Sequence, residues 1–123
     1  MHEKSLVRSL LRLVNDIMTE HGATKVETVT VDIGPLSGVE PLLVQEAFAE
    51  LSAASDVGNP MLKIQEIKLT IRCRDCGHES SSAGLIFQCA ACDSPRVQII
   101  RGDEFRLIDV SLQVPMEPEN TVS

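Results

Sequence analysis

The chain has 123 residues, which is enough for one compact domain and too few for two independent hydrophobic cores. Its formal net charge of −7 disfavours binding to nucleic-acid phosphates, and no apolar run approaches the roughly 20 residues that cross a bilayer. Hydrophobic residues make up 43% of the composition, with no Trp, no Tyr and only three Phe, so the core has to be built from Leu, Val and Ile.

The first predicted element is an amphipathic helix near the N-terminus. Apolar residues recur there at the three-and-four spacing of one helix face, at Leu6, Leu10, Leu13, Val14 and Ile17. Ser5 can cap the start of this helix and Gly22 can end it. The pattern therefore predicts that His2 lies just ahead of the helix, on a short arm.

A strand and a second helix follow. β-branched residues alternate with polar ones from Lys25 to Ile33, which predicts a strand with one buried face. After a turn rich in glycine and proline at 34–38, Glu40-Pro41 opens a helix, because proline is tolerated in the first helical turn. Its predicted apolar stripe consists of Leu43, Val44, Ala47, Phe48 and Leu51.

Strand patterns also flank the cysteine-rich segment. The apolar positions between 62 and 71 change phase near Gln65-Glu66, which predicts one strand with a bulge that runs into Cys73. Beyond Cys92, a β-rich stretch over 96–100 is followed by a Gly102-Asp103 turn. The last predicted strand carries alternating Ile108, Val110, Leu112 and Val114. The cysteine segment is therefore predicted to be an insertion between strands.

Two CxxC pairs are the strongest chemical signal in the chain. Cys73 and Cys76 form the first pair, Cys89 and Cys92 the second, and twelve residues separate them. Tight turns at each pair let four soft thiolates reach one ion, as in structural Zn²⁺ sites. Few apolar residues lie between the pairs, so we expect the metal to supply much of the folding free energy of this module.

The cellular compartment bears on the same cysteines. The N-terminus lacks a basic region followed by a continuous apolar stretch, so we expect the protein to be cytoplasmic, with no membrane partner. In a reducing cytosol, paired cysteines hold metal more often than they form structural disulfides.

Three other uses of the cysteines stay open from the residues alone. Four thiolates can hold a single iron. Thioredoxin-type redox chemistry needs one CxxC at a helix start after a strand, an arrangement that two matched pairs do not give. A zinc ribbon can also bind nucleic acid, but the cations in and around this segment are Arg72, Arg74 and Arg96, and Phe87 is its only aromatic residue. We therefore expect no nucleic-acid partner.

His2 has chemistry that depends on its position. A histidine near a chain end is usually only a solvated residue. At position two, however, the α-amine of Met1, the His2 amide nitrogen and the His2 imidazole can chelate one ion. Glu3 adds a further amide nitrogen and a carboxylate. Such nitrogen ligands favour Ni²⁺ or Cu²⁺.

Four segments of the chain resemble the HypA/HybF family of nickel metallochaperones for hydrogenase maturation. They are Met1-His2-Glu3 with Ser5-Leu6, the segment 33–41, the two CxxC pairs, and the segment 102–107. The similarity extends along the chain up to Pro115. Two departures are Asp93, which stands where the family commonly has glycine, and a longer acidic tail.

This resemblance implies an α+β fold and a protein that is not an enzyme. The expected architecture is a small mixed β-sheet packed with two helices, plus an inserted zinc-ribbon-like module. A discontinuous nickel-binding domain would comprise 1–70 and 97–115, and the zinc-binding module would comprise 71–96. Residues 116–123 are expected to form a flexible tail.

The resemblance also implies the sites and partners. Carried over by position, His2 is the ligand of transported Ni²⁺ and Glu3 is a neighbour of that site. Glu40 stands where the family often has an acidic residue near the site, and its alternative role is that of a carboxylate favourable at a helix N-terminus. Structural Zn²⁺ would be held by Cys73, Cys76, Cys89 and Cys92. The implied partners are a nickel-insertion GTPase and a hydrogenase large-subunit precursor, and some family members serve urease. Strand edges leave a homodimer as a further expectation.

Overall fold

The computed structural model describes residues 2–115. Two helices and six strands follow in the order α1 (His2–Glu20), β1 (Lys25–Ile33), α2 (Pro41–Ala53), β2 (Met61–Glu66), β3 (Leu69–Cys73), β4 (Glu79–Ser82), β5 (Val97–Arg101) and β6 (Phe105–Gln113). Neither helix is long and apolar enough to span a bilayer, within the residues described. The predicted flexible tail, 116–123, lies outside the described residues.

The first sheet and both helices enclose the main hydrophobic core. The strand order is β2-β1-β6, with β1 parallel to β2 and antiparallel to β6. Val29 and Val31 of the central strand are completely buried, as the alternation over β1 predicts. Helices α1 and α2 pack against this sheet through Val7, Val14 and Val44. A mixed sheet packed with two helices confirms the predicted α+β class.

The second sheet carries the cysteines and has only a small core of its own. Its order is β4-β3-β5, and both neighbours run antiparallel to β3. The sheet occupies 69–101, so its strands extend past both ends of the 71–96 segment. Its buried residues are Leu69, Ile71, Cys73 and Cys89. The division of the chain into two domains remains a prediction.

The single bulged strand predicted over 62–71 is wrong. Strands β2 and β3 belong to different sheets, and the chain crosses between them after Glu66. The amide of Ile67 donates to the carbonyl of Ile33, 3.0 Å away, and so holds the crossing against the end of β1. The phase changes because β2 buries Leu62 beneath the helices, whereas β3 buries Leu69 within the other sheet.

Helix α1 begins earlier and turns a different face to the core than predicted. Its buried residues are Val7, Leu10, Leu11, Val14 and Met18, whereas Leu13 is 48% exposed. Ser5 therefore lies inside the helix and does not cap it. His2 is the first helical residue, so the predicted short arm is replaced by the first turn of α1.

Strand β6 changes phase at a β-bulge that the sequence pattern hides. The register against β1 shifts between Thr30 and Val31, and Ile108 has no partner on β1. The predicted core position Ile108 is 43% exposed, and Val114 is 56% exposed. The residues that reach the core from β6 are Phe105, Leu107, Val110 and Leu112.

A close backbone contact joins the two sheets. The residues 34–38, hereafter the 34–38 loop, meet the turn that links β5 to β6. The amide of Leu36 donates to the carbonyl of Gly102 at 2.7 Å, and the amide of Gly34 donates to the carbonyl of Glu104 at 2.9 Å. A Cβ atom at Gly34 would overlap the carbonyl group of Gly102. Glycine is required at position 34 because two backbones approach there.

We expect Gly34→Ala to lower the free energy of unfolding by about 1–3 kcal/mol, because the added methyl meets backbone that cannot move aside. The matched control is Gly84→Ala, since a Cβ atom there meets nothing within 4 Å. Urea denaturation of both variants provides the measurement. Equal stability of the two variants would contradict the close approach.

Candidate metal sites

The four cysteine sulfurs form one compact cluster. All four lie within 4.8 Å of one another. The cross-pair distances are 3.6 Å between the Sγ atoms of Cys73 and Cys92, and 3.5 Å between those of Cys76 and Cys89. Sulfurs at the corners of a tetrahedron with metal bonds of about 2.3 Å are about 3.8 Å apart. The cluster therefore fits one four-coordinate metal ion.

The two CxxC turns have the same backbone design. In the first, the amide of Gly77 donates to the carbonyl of Cys73 at 3.0 Å, and in the second, the amide of Asp93 donates to the carbonyl of Cys89 at 3.0 Å. Gly77 has a φ of 79° and Asp93 a φ of 63°. Asp93 therefore adopts the left-handed conformation that glycine accepts more easily. Aspartate in place of the family's usual glycine at position 93 therefore leaves the second CxxC turn intact.

Backbone amides favour the thiolate form of the first cysteine in each pair. The amides of Cys76 and Asp75 donate to Cys73 Sγ and lower the pKa of Cys73 to about 6. The amides of Cys92 and Ala91 donate to Cys89 Sγ and lower the pKa of Cys89 in the same way. Each turn thus supplies a sulfur that is prepared to bind a cation.

The second cysteine of each pair behaves in the opposite way. The amide of Ser94 favours the thiolate of Cys92, but hydrogen bonding with Cys73, burial and the other thiols outweigh it and raise the pKa of Cys92 to about 12. The pKa of Cys76 is also raised, since the Cys89 thiol and burial outweigh the amide of His78. A metal ion among the sulfurs removes this conflict, because it favours four thiolates at once.

The start of α1 is attached to the loop before α2. Nε2 of His2 donates to the carbonyl oxygen of Gly38 at 3.0 Å. The amide of Glu40 donates to Oε2 of Glu3 at 3.2 Å, and this donation lowers the pKa of Glu3. Glu40 itself caps α2 by accepting from the amide of Leu42 at 3.4 Å. The structure thus brings the predicted residues His2, Glu3 and Glu40 to one exposed corner.

The remaining histidines lie elsewhere. Nδ1 of His21 is 2.9 Å from the carbonyl of Ile17, at the far end of α1, and His78 contributes backbone contacts to the first CxxC turn. Within 2–115, the four cysteines are the only group of three or more His, Cys, Asp or Glu residues close enough to share an ion. The α-amine of Met1 lies outside the described residues.

One contributor to the N-terminal corner was missed by the sequence analysis. Gly38 contributes its backbone carbonyl, a group that every residue has and that the residue type therefore does not indicate. The sequence signal was the glycine at position 38, which favours a left-handed turn, and the structure gives it a φ of 76°. The same turn was predicted only as the end of β1.

Comparison with known proteins identifies the family. The family model that matches residues 1–112 is described as hydrogenase/urease nickel incorporation, metallochaperone, HypA. The chain belongs to the HypA family. The resemblance found in the sequence is thereby confirmed, and so is the expectation that this metallochaperone is not an enzyme.

Individual relatives agree over nearly their full length. The chain is 41% identical to the hydrogenase maturation factor HypA of Aquifex aeolicus, over 93% of this chain and 99% of the relative. It is 37% identical to HypA of Nitrosospira multiformis, over 91% and 97%. The solution structure of the Ni metallochaperone HypA from Helicobacter pylori superposes with a TM-score of 0.68 at 31% identity, over 92% of this chain and 98% of that one. The HypA fold therefore covers both sheets.

Proposed function

We propose that the chain binds Ni²⁺ through its N-terminus and delivers it during maturation of [NiFe] hydrogenase, while Cys73, Cys76, Cys89 and Cys92 hold a structural Zn²⁺. Family membership supports nickel incorporation as the process. The observation that carries the N-terminal site is the corner where His2 and Glu3 meet the loop before α2. The resident metal and the cargo metal then occupy separate parts of the fold.

The start of α1 supplies nitrogen ligands as well as the imidazole. Because the helix begins at His2, the amides of His2 and Glu3 have no carbonyl one turn earlier to donate to. The His2 amide nitrogen is therefore available for chelation, together with the His2 imidazole and an unmodified α-amine, whereas the Glu3 amide donates to its own carboxylate. Ni²⁺ is well matched by nitrogen donors in a planar or tetragonal arrangement.

Exposure makes this site suitable for release. His2 is exposed, and the neighbouring carboxylates of Glu3 and Glu40 lie at the protein surface. A partner can therefore reach the ion without unfolding the chain. The cysteine cluster is different, because a closed tetrahedral site of four thiolates leaves no open position for exchange. One site is built for transfer and the other for permanent occupancy.

Zinc is the proposed occupant of the cysteine cluster. Four thiolates at tetrahedral spacing suit Zn²⁺, and a single iron is the alternative for the same ligands. Zn²⁺ would neutralise part of the thiolate charge and connect β3 to the second CxxC turn. Elemental analysis distinguishes the two metals directly. Iron in this site would also colour the protein, whereas zinc would not.

The proposed partners are a nickel-insertion GTPase and a hydrogenase large-subunit precursor. Urease is the alternative destination, since the family description includes both enzymes. We also propose a cytoplasmic location, where these precursors are assembled. A homodimer through the edge strands β2 and β6 is a further proposal, as both strands have one unpaired side in the described fold.

The proposal is tested by calorimetric titration of Ni²⁺ into untagged, zinc-loaded protein, with zinc counted by elemental analysis before and after. We expect one nickel ion and one zinc ion per chain at the end point. A second preparation carries one glycine ahead of Met1, which displaces the α-amine from the chelate, and we expect nickel binding to be weakened. Nickel that replaces zinc ion for ion would place the cargo in the cysteine cluster and refute the two-site assignment.

A further inference from the structure

The hydrogen bond of His2 determines which of its ring nitrogens is free. Nε2 lies 3.0 Å from the carbonyl oxygen of Gly38. A carbonyl oxygen only accepts hydrogen bonds, so Nε2 has to carry the hydrogen. In a neutral imidazole, the lone pair is then on Nδ1. Within the described part of the chain, Nδ1 of His2 makes no hydrogen bond with protein.

We propose that the Gly38 carbonyl is a positioning group for nickel, which holds His2 as the Nε2–H tautomer and presents Nδ1 to the ion. This inference rests on the proposed function, in which His2 binds nickel. Nδ1 is bonded to the ring carbon that carries Cβ, so it closes a smaller chelate ring with the His2 amide nitrogen than Nε2 does. A hydrogen bond from the outer ring nitrogen to a carbonyl is a general means of orienting a metal-binding histidine.

The loop that supplies this carbonyl is braced on both sides. Gly38 adopts a φ of 76°, which sets the direction of its carbonyl. The hydroxyl of Ser37 donates to the carbonyl of Gly34 at 2.8 Å and closes the 34–38 loop on itself. The amide of Leu36 donates to the carbonyl of Gly102 and ties the loop to the turn between β5 and β6. The acceptor for His2 is therefore part of a fixed backbone.

A second contact holds the next residue to the same segment. Oε2 of Glu3 accepts from the amide of Glu40, just ahead of the first turn of α2. Two successive residues of α1, His2 and Glu3, are thus attached to Gly38 and Glu40 in the segment before α2. Ligands held in place before the ion arrives lose less freedom on binding, so this attachment favours nickel affinity.

The first test compares two glycine substitutions of the untagged chain. Gly38→Val places a β-branched residue at positive φ, which moves the carbonyl away from His2. Gly22→Val is the matched control, since Gly22 also has a positive φ and open space around its Cβ position, at the other end of α1. By nickel calorimetry we expect the dissociation constant of Gly38→Val to rise about tenfold, and that of Gly22→Val to stay at the wild-type value. Equal affinities would overturn the inference.

The second test leaves the loop unchanged and modifies the imidazole. Chains assembled by chemical ligation at Cys73 carry His2 methylated on either ring nitrogen. Methylation at Nε2 removes the hydrogen bond to Gly38 but keeps the Nδ1 lone pair, so one nickel ion should still bind, about tenfold more weakly. Methylation at Nδ1 should abolish binding through the imidazole. The opposite order of affinities would show that Nε2 is the ligand and would overturn the inference.

A third chain, His2→Ala, separates this inference from the proposed function. If His2→Ala binds nickel as tightly as wild type, the proposed N-terminal site fails. If His2→Ala loses nickel while the chain methylated at Nε2 binds as tightly as the unmodified one, the proposed function stands and the role of the Gly38 carbonyl is refuted.

Discussion

Removal of the metal from the four-cysteine cluster is expected to unfold the second sheet and to leave the first sheet and both helices folded. The main core contains no residue of the 69–101 segment. The second sheet buries Leu69, Ile71, Cys73 and Cys89, which is too little apolar surface to stabilise it without another source of free energy. A structural zinc ion supplies roughly 10–16 kcal/mol in small modules of this kind.

Hydrogen exchange before and after chelation measures this effect at single amides. The amides of Gly77 and Asp93 donate to the CxxC carbonyls, so they should be protected in the metal-loaded protein. We expect chelation to accelerate their exchange by about three orders of magnitude, while the amides of β1 change little. Undiminished protection at Gly77 and Asp93 would show that the second sheet is stable without metal.

A pair of substitutions checks the same prediction without a chelator. Cys89→Ala removes the sulfur of a residue that is 1% exposed and should reproduce the loss of protection in zinc-containing buffer. Leu85→Ala removes a side chain of the same segment that is 54% exposed and lies outside the cluster, so protection should be retained. Loss of protection in both variants would indicate that side-chain packing, rather than the metal, stabilises the second sheet.

The cysteine cluster could be predicted closely from the sequence because its information is local. A CxxC spacing determines a tight turn, and two such turns in one short segment can meet around one ion. The alternation along β1 was equally informative, since a strand with one buried face repeats every second residue. Both features depend on neighbouring residues alone, and tertiary contacts have little room to change them.

Features that depend on distant contacts could not be predicted in this way. The face of α1 that is buried was misassigned because Leu11 and Leu13 are equally apolar, and only the packing of the helix on the first sheet selects Leu11. In the sequence, the crossing between β2 and β3 resembles a bulge, because a bulge and a crossing between sheets both shift the alternation of apolar residues by one position. The contact between His2 and Gly38 joins residues far apart in sequence, through a carbonyl that every residue possesses.

Replacement of His2 by alanine is expected to remove nickel binding from the untagged, zinc-loaded chain. The substitution takes away the imidazole while leaving the α-amine and the amide nitrogens, which are weaker donors until they lose their protons. Loss of a supporting hydrogen bond to a metal ligand already costs about 10–100-fold in affinity. Loss of the ligand itself should exceed that range, so calorimetry should detect no saturable binding at micromolar protein.

The control for this variant is His21→Ala. It shows whether nickel binding depends on the chelating position of His2 or is lost with any exposed histidine. His21 is also exposed and also contacts a backbone carbonyl, that of Ile17, but it has no α-amine beside it. An exposed imidazole alone is a poor nickel site, so His21→Ala should bind one nickel ion as wild type does. Equal losses in the two variants would indicate that nickel binds histidines nonspecifically. If His2→Ala still binds nickel as tightly as wild type, with zinc counted at one per chain, the ion is held by other ligands. That result would refute the N-terminus as the cargo site.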